Sequence, residues 1–280
     1  MPEPFISICV PAYRAESYLA ETLASVRAQT FPDWELIVTE DGSRDSTEKI
    51  VQDFAATVSQ GVRYTRHDAN RGLPATRNTG LSAARGQWLA LLDADDVWRS
   101  DHLERCLAVA PASGPALVFG GSSIFDTTTG QEIERREPPN GPIDGLTGAL
   151  FDGQLIIQPA AAMFNRAAYS LVGGFDSRFP ICNDFDYWLR CGRAGVSFFY
   201  NGALTLRYRK HPGAMSRKSA ALIAESAEVL LVNSRGFPGR KPADARRAAR
   251  RRFLNAARIT RSAEPAAAFR YLLRALRSFA

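Results

Sequence analysis

The chain has 280 residues, 45% hydrophobic and 23% charged, enough to bury a core in one domain or in one domain with a small appendage. No stretch approaches the roughly 20 apolar residues of a membrane span, and the start MPEPFISICV has no basic n-region or cleavage site, so a cytoplasmic protein without a secretory signal is expected. The formal charge of +6 is uneven: from Gly236 to Ala280 twelve Arg or Lys face two acids, so the first 235 residues are mildly acidic and nucleic acid is not an expected partner.

Phe5 to Val10 is an apolar run stopped by Pro11, a buried strand. Ser17 is a candidate cap for a helix carrying Leu19, Leu23 and Val26. Glu35 to Thr39 is a second strand, followed by the polar turn Glu40-Asp41-Gly42-Ser43. Asp45 and Glu48 have capping-box spacing before a helix with Ile50, Val51 and Phe54. Val62 to Thr65 reads as a third strand, Arg77 to Ala84 as a helix, and Trp88 to Leu92 as a fourth strand. This alternation predicts an α/β fold, a mostly parallel central sheet flanked by helices.

The second half is less regular. Leu117 to Phe119, Ala161 to Phe164 and Val196 to Tyr200 read as strands, Thr127 to Gly148 as a loop, and Asp186 to Cys191 as a helix. Beyond Ser219 the pattern is helical, broken at Gly236 to Gly239. The cysteines Cys9, Cys106, Cys182 and Cys191 lack zinc or CxxC spacing and read as reduced thiols.

Ligands of such sheets sit at the carboxyl ends of the strands. Polar groups gather there: Tyr13 after the first strand, Asp41 after the second, Asp93 to Asp96 after the fourth. Clustered carboxylates repel, and a hard divalent ion with oxygen ligands, Mg²⁺ or Mn²⁺, is the natural remedy. An acidic surface turn capping the next helix is the bland alternative.

The strings CVPAYRAESYLAETLASVRAQTFPDWELIVTEDGSRDST (9–47), NRGLPATRNTGLSAARG (70–86), LLDADDVW (91–98) and GGFDSRFPICNDFDYWLR (173–190) come in the order and spacing of the family-2 glycosyltransferases, which the chain resembles over about 5–215. The resemblance implies a GT-A fold, Rossmann-like, with a nucleotide-sugar-binding half (1–115), an acceptor-binding half (116–218) and a basic helical C-terminal extension (219–280). It implies that Pro11, Ala12 and Tyr13 pack along the base and ribose of a nucleotide-sugar donor, UDP by default with dTDP or GDP as alternatives, and that Asp41 accepts from the base. Asp93-Ala94-Asp95 matches the DxD motif, with Asp93 near the ribose and Asp95 ligating the metal together with His211 of YRKHPGAMS (208–216). Arg77 would face the nucleotide or an acid of the site, or lie on a helix surface. Asp184 matches the general base of an inverting transfer to a carbohydrate or lipid-linked glycan acceptor. Asn183 stands where the family commonly has Glu. Asp96, Asn183 and Trp188 are expected on the acceptor side, and Trp98, Trp188 and Phe175 read as core or acceptor wall. His67 and His102 receive no role.

Two other readings compete. A sugar-nucleotide pyrophosphorylase would need a Gly-rich phosphate loop where Pro11-Ala12-Tyr13-Arg14 stands. A degenerate nucleotide- or glycan-binding module would not require Asp41, Asp93, Asp95 and Asp184 together. In the tail, Phe269, Leu272, Leu273 and Leu276 share one helical face and Arg270, Arg274 and Arg277 another. Such a helix suits an anionic membrane surface, at the inner face of which the protein would be peripheral, or packing on its own domain or a dimer partner through 244–280.

Overall fold

A computed structural model describes residues 3–138, 146–211, 213 and 219–278. Four strands, β1 (Ile6–Ala12), β2 (Trp34–Glu40), β3 (Val62–Arg66) and β4 (Trp88–Leu91), pair in parallel in the order β3-β2-β1-β4. Every residue of β1, β2 and β4 is buried, as expected of strands covered on both faces. Alternation sorts them into two cores. Ile8, Val10, Leu36, Val38 and Ala90 face one layer with helices α1 (Leu19–Arg27) and α2 (Thr47–Ala55). Cys9, Ile37, Leu89 and Leu91 face the other, beside α3 (Leu73–Ala83).

Past β4 the sheet becomes mixed. β5 (Val97–Trp98), β6 (Ala116–Asp126), β7 (Glu132–Arg136), β8 (Ala162–Asn165) and β9 (Ser197–Lys210) extend it as β4-β8-β6-β9-β5, with β7 paired to β6. β8 is antiparallel to both β4 and β6, whereas β6 and β9 run parallel. The remaining helices are α4 (His102–Ala108), α5 (Leu146–Asp152), α6 (Arg166–Val172), α7 (Asn183–Arg193), α8 (Ser219–Asn233), α9 (Pro242–Thr260) and α10 (Pro265–Arg277). Val229, Leu230, Phe237 and Ala245 enter the sheet core, while Ala224, Ala227, Ala249, Phe253, Ala256 and Ala275 form a small core among the last three helices. No helix among the described residues is long and apolar enough to cross a membrane.

Several local expectations change. The segment expected as a loop at 127–148 holds β7, whose Glu132 to Arg135 are exposed, so its charged edge lacked an apolar signal; residues 139–145 lie outside the described ones. α3 begins four residues before Arg77 because Pro74 suits a first helical turn. Ser17 does not cap α1: the Ala15 carbonyl accepts from Tyr18 and Leu19 N–H instead. The capping box does not form either. Asp45 accepts from Thr47 N–H at 3.2 Å, while Glu48 pairs with Arg66.

Candidate active site

The carboxyl ends of β1, β2 and β4 lie side by side along one edge of the parallel sheet. Pro11 and Ala12 are the last, buried residues of β1, and Tyr13 beyond them is 45% exposed. The chain leaves through Arg14 at φ +51, a position costing a non-glycine residue roughly 1 kcal/mol. Its N–H donates to Ser43 Oγ at 3.1 Å. Gly42 (φ +75) lets the next turn close: a Cβ there would lie 2.6 Å from the Ala69 carbonyl carbon. Glu40 turns into the protein, accepting from Ser43 Oγ at 2.6 Å and from the Tyr64 hydroxyl.

Asp41 is 3% exposed and accepts from Arg71 N–H and Gly72 N–H, both at 2.8 Å, and contacts His67 Nδ1 at 2.7 Å. Burial raises its carboxyl, but these partners outweigh burial and hold it below the ordinary range. A carboxylate offers about four acceptor sites, so three partners leave one. His67 also reaches Thr79 Oγ1 at 2.9 Å, tying the turn to α3.

The aspartates after β4 occupy three environments. Asp93 is paired at 2.7 Å with Arg77, whose side chain is 1% exposed. The same guanidinium donates to Asn183 Oδ1 at 2.6 Å and lies over the Phe175 ring. Asp95 is partly exposed and its Oδ2 sits 2.9 Å from His211 Nε2. Asp96 is fully buried: Oδ1 accepts from Arg209 N–H at 2.9 Å, and burial with the charges of Asp95 and Asp93 pushes its carboxyl well up.

Asp184 lies in the first turn of α7, its Oδ1 accepting from Phe185 N–H at 2.8 Å. Burial raises its pKa to about 6, against the lowering charge of Arg77 and with a raising contribution from Asp93. A carboxylate so tuned is mostly ionised at neutral pH and still basic enough to take a proton.

Of the residues expected on the acceptor side, Asp96, Asn183 and Trp188 are 0%, 0% and 1% exposed, so in this structure their side chains are enclosed by the protein. Trp188 Nε1 donates to the Ile157 carbonyl, and Trp98 and Phe175 are likewise core. Arg77 is no surface arginine but the joint between the Asp93 turn and α7.

The sequence reading missed Arg209, Tyr18 and Glu21. Arg209 donates from Nε to the Asp95 carbonyl at 2.8 Å, pairs with Glu21 and stacks on Tyr18, whose ring also meets His211. Strand alternation was the available signal, since Arg209 lies two residues before His211.

Among the described residues no three His, Cys, Asp or Glu side chains converge as a metal cage. Asp95 and His211 form a two-member donor set, partly exposed, that fits an ion completing its shell with water and phosphate oxygens.

The glycosyl transferase family 2 model matches residues 7–173. Escherichia coli WfgD, a UDP-Glc:alpha-D-GlcNAc-diphosphoundecaprenol beta-1,3-glucosyltransferase, is 30% identical over 129 residues, 46% of this chain and 50% of that protein. The match spans about half the length of this relative and of two similar ones from Bacillus subtilis. Staphylococcus aureus TarS in complex with UDP-GlcNAc superposes with a TM-score of 0.69 at 16% identity, over 89% of this chain and 72% of TarS. The mannosyltransferase PcManGT of Pyrobaculum calidifontis, with GDP-Man and Mn²⁺, gives 0.61 at 19% identity over 98% and 80%. The fold is the GT-A-like α/β architecture expected from the sequence.

Proposed function

This chain belongs to glycosyl transferase family 2, and on that premise we propose that it moves a sugar from a nucleoside diphosphate, UDP by preference, onto a hydroxyl of a lipid-linked glycan, with inversion. The observation that carries this reading is Arg77, which ties the Asp93 turn to the helix start that bears Asp184. On this reading the donor end and the base stand on either side of Arg77.

Pro11, Ala12 and exposed Tyr13 lie along the nucleotide, with Asp41 offering its remaining acceptor site to a base N–H. Asp93 and the Ala94 backbone face the ribose. Asp95 and His211 would hold Mn²⁺ or Mg²⁺, which when bound would supply Lewis-acid stabilisation of charge on the departing diphosphate. Asp184 takes the acceptor hydroxyl proton as that oxygen bonds to the anomeric carbon. The bond from that carbon to the diphosphate oxygen breaks on the opposite face, and the electron pair leaves with the nucleoside diphosphate.

UDP is favoured by the UDP-sugars of TarS and WfgD, and the lipid-linked acceptor by WfgD's diphosphoundecaprenol substrate. The GDP-Man of PcManGT keeps GDP as the alternative. A lipid-linked acceptor agrees with α10, where Phe269 and Leu276 are 61% and 64% exposed and Arg270 and Arg277 flank them. On this reading the protein works in the cytoplasm, peripheral to the inner face of an anionic membrane. The test is Asp184→Asn, which abolishes transfer while nucleotide affinity stays within about threefold; retained transfer sinks the assignment.

A further inference from the structure

α7 carries Asp184, yet most of what grips its first turn comes from α8 and α9, beyond the residues the family model matches. A helix start leaves about four N–H groups without helical partners. Here Glu225 of α8 sends Oε1 to the N–H groups of Ile181 and Cys182, both at 2.7 Å. Cys182 Sγ donates to the Leu222 carbonyl at 3.4 Å. Two residues past Asp184, the Asp186 carboxylate accepts from Asn233 Nδ2 at 2.8 Å. Between them, the Arg252 guanidinium of α9 lies 5.3 Å over the Phe185 ring and is itself fixed by the Ser226 carbonyl at 3.1 Å. Positions 181, 182, 185 and 186 are thus each held from the C-terminal helices, and Asp184 sits inside that span.

The geometry points to Glu225 as a positioning residue for Asp184, and to α8 and α9 as a working part of the catalytic cleft. The inference rests on the reading of Asp184 as the base. One oxygen of a carboxylate general base must meet the acceptor hydroxyl at hydrogen-bond distance, and a misplacement of 1 Å costs about a hundredfold in rate. A single carboxylate that accepts two consecutive N–H groups fixes where the helix starts, and so where its second residue points. Its negative charge also suits a helix N-terminus.

Charges around this joint are few. Arg77 from α3 and Asp93 from the turn after β4 act on Asp184; Glu228 on α8 acts on Glu225, and Arg252 on α9 acts on Cys182 beside it. Loss of Glu225 leaves Arg77 and Asp93 in place while admitting water to the first turn of α7.

The experiment is Glu225→Ala in the full chain, with donor KM, kcat and the pH profile of kcat measured on folded protein. The expected result is a fall in kcat of about tenfold to a hundredfold, donor KM within twofold, and an acid limb displaced below about 6 as Asp184 hydrates. Should Glu225→Ala fail to fold, Glu225→Gln keeps the volume and one acceptor oxygen; faster amide exchange at Ile181 and Cys182 with a smaller fall in kcat is then expected. Unchanged kcat and acid limb in a folded Glu225→Ala, or unchanged exchange and kcat in Glu225→Gln, overturns the inference. Asp184→Asn separates the two claims. If it is inactive while Glu225→Ala behaves as wild type, only the positioning role falls; if it retains transfer, the base assignment falls with it.

Discussion

Arg77 and Asn183 stand 106 residues apart in the chain and 2.6 Å apart in the fold, joined by a guanidinium N–H donated to a side-chain carbonyl. The other arm of Arg77 holds Asp93. Asn183 thus gives Arg77 a neutral acceptor, and the arginine charge acts on both Asp93 and Asp184.

Arg77→Met breaks this joint while keeping most of the side-chain volume. Removing one partner of a buried ion pair typically costs 3–5 kcal/mol; because Asp93 is 23% exposed, about 2–3 kcal/mol is expected. Urea unfolding reads that loss, and transfer falls with it. Arg77→Lys is not a rescue, since an ammonium lacks the fork that reaches both acceptors.

The pH profile tests the tuning of Asp184. Transfer needs the ionised carboxylate, so kcat falls about tenfold per unit as pH drops below about 6. Asn183→Asp places a second negative charge near Asp184, which favours its protonated form. The acid limb therefore moves upward, by about half a unit or more. A profile flat from pH 5 to 8 in both proteins would contradict the assignment.

Much of this arrangement was readable before any coordinates. β1, β2 and β4 are largely apolar and fully buried, and the segments after them carry Tyr13, Asp41 and Asp93 to Asp96, so the gathering of polar groups at the carboxyl ends of the strands was legible from the sequence. What escaped was whatever depends on distant pairing. Nothing in the string around Arg77 says that its partners are Asp93 and Asn183, and nothing marks His67 as the neighbour of Asp41. Trp188 was legible as core or acceptor wall but not as one rather than the other, and its burial makes it core. β5 is two residues long and β7 has a charged, exposed edge, so neither offered a period to read.

Glu35 provides a stability test away from the cleft. Its buried carboxylate accepts from Ser7 Oγ at 2.6 Å, Arg85 N–H at 2.8 Å and Arg63 at 2.8 Å. Burial raises its pKa, but these donors and charges outweigh burial and bring it below 4.5. A lowered folded pKa means stabilisation that is full above the unfolded value and lost as pH falls through the folded one. Glu35→Gln should therefore cost about 2 kcal/mol at pH 7, and the gap from wild type should narrow below pH 4.5 in urea titrations.

The α10 stripe is tested in the intact chain. Phe269→Glu with Leu276→Glu places two carboxylates on the exposed apolar face without touching buried Ala267, Ala268 or Ala275. Flotation with vesicles containing anionic lipid should fall severalfold, while transfer to a soluble acceptor analogue is retained. Equal flotation of both proteins removes the membrane reading.

Metal-assisted transfer from a nucleotide sugar has a simple test. The most direct measurement incubates the wild-type chain with a panel of UDP-, dTDP- and GDP-sugars, with Mn²⁺, Mg²⁺ or EDTA, and follows nucleoside diphosphate release and nucleotide binding. One donor, a UDP-sugar, is expected to release its diphosphate with Mn²⁺ or Mg²⁺ and not with EDTA, and Asp95→Asn is expected to weaken the response. Silence across the panel, with no metal-dependent nucleotide binding, would contradict metal-assisted transfer and make the cleft a binding site without chemistry.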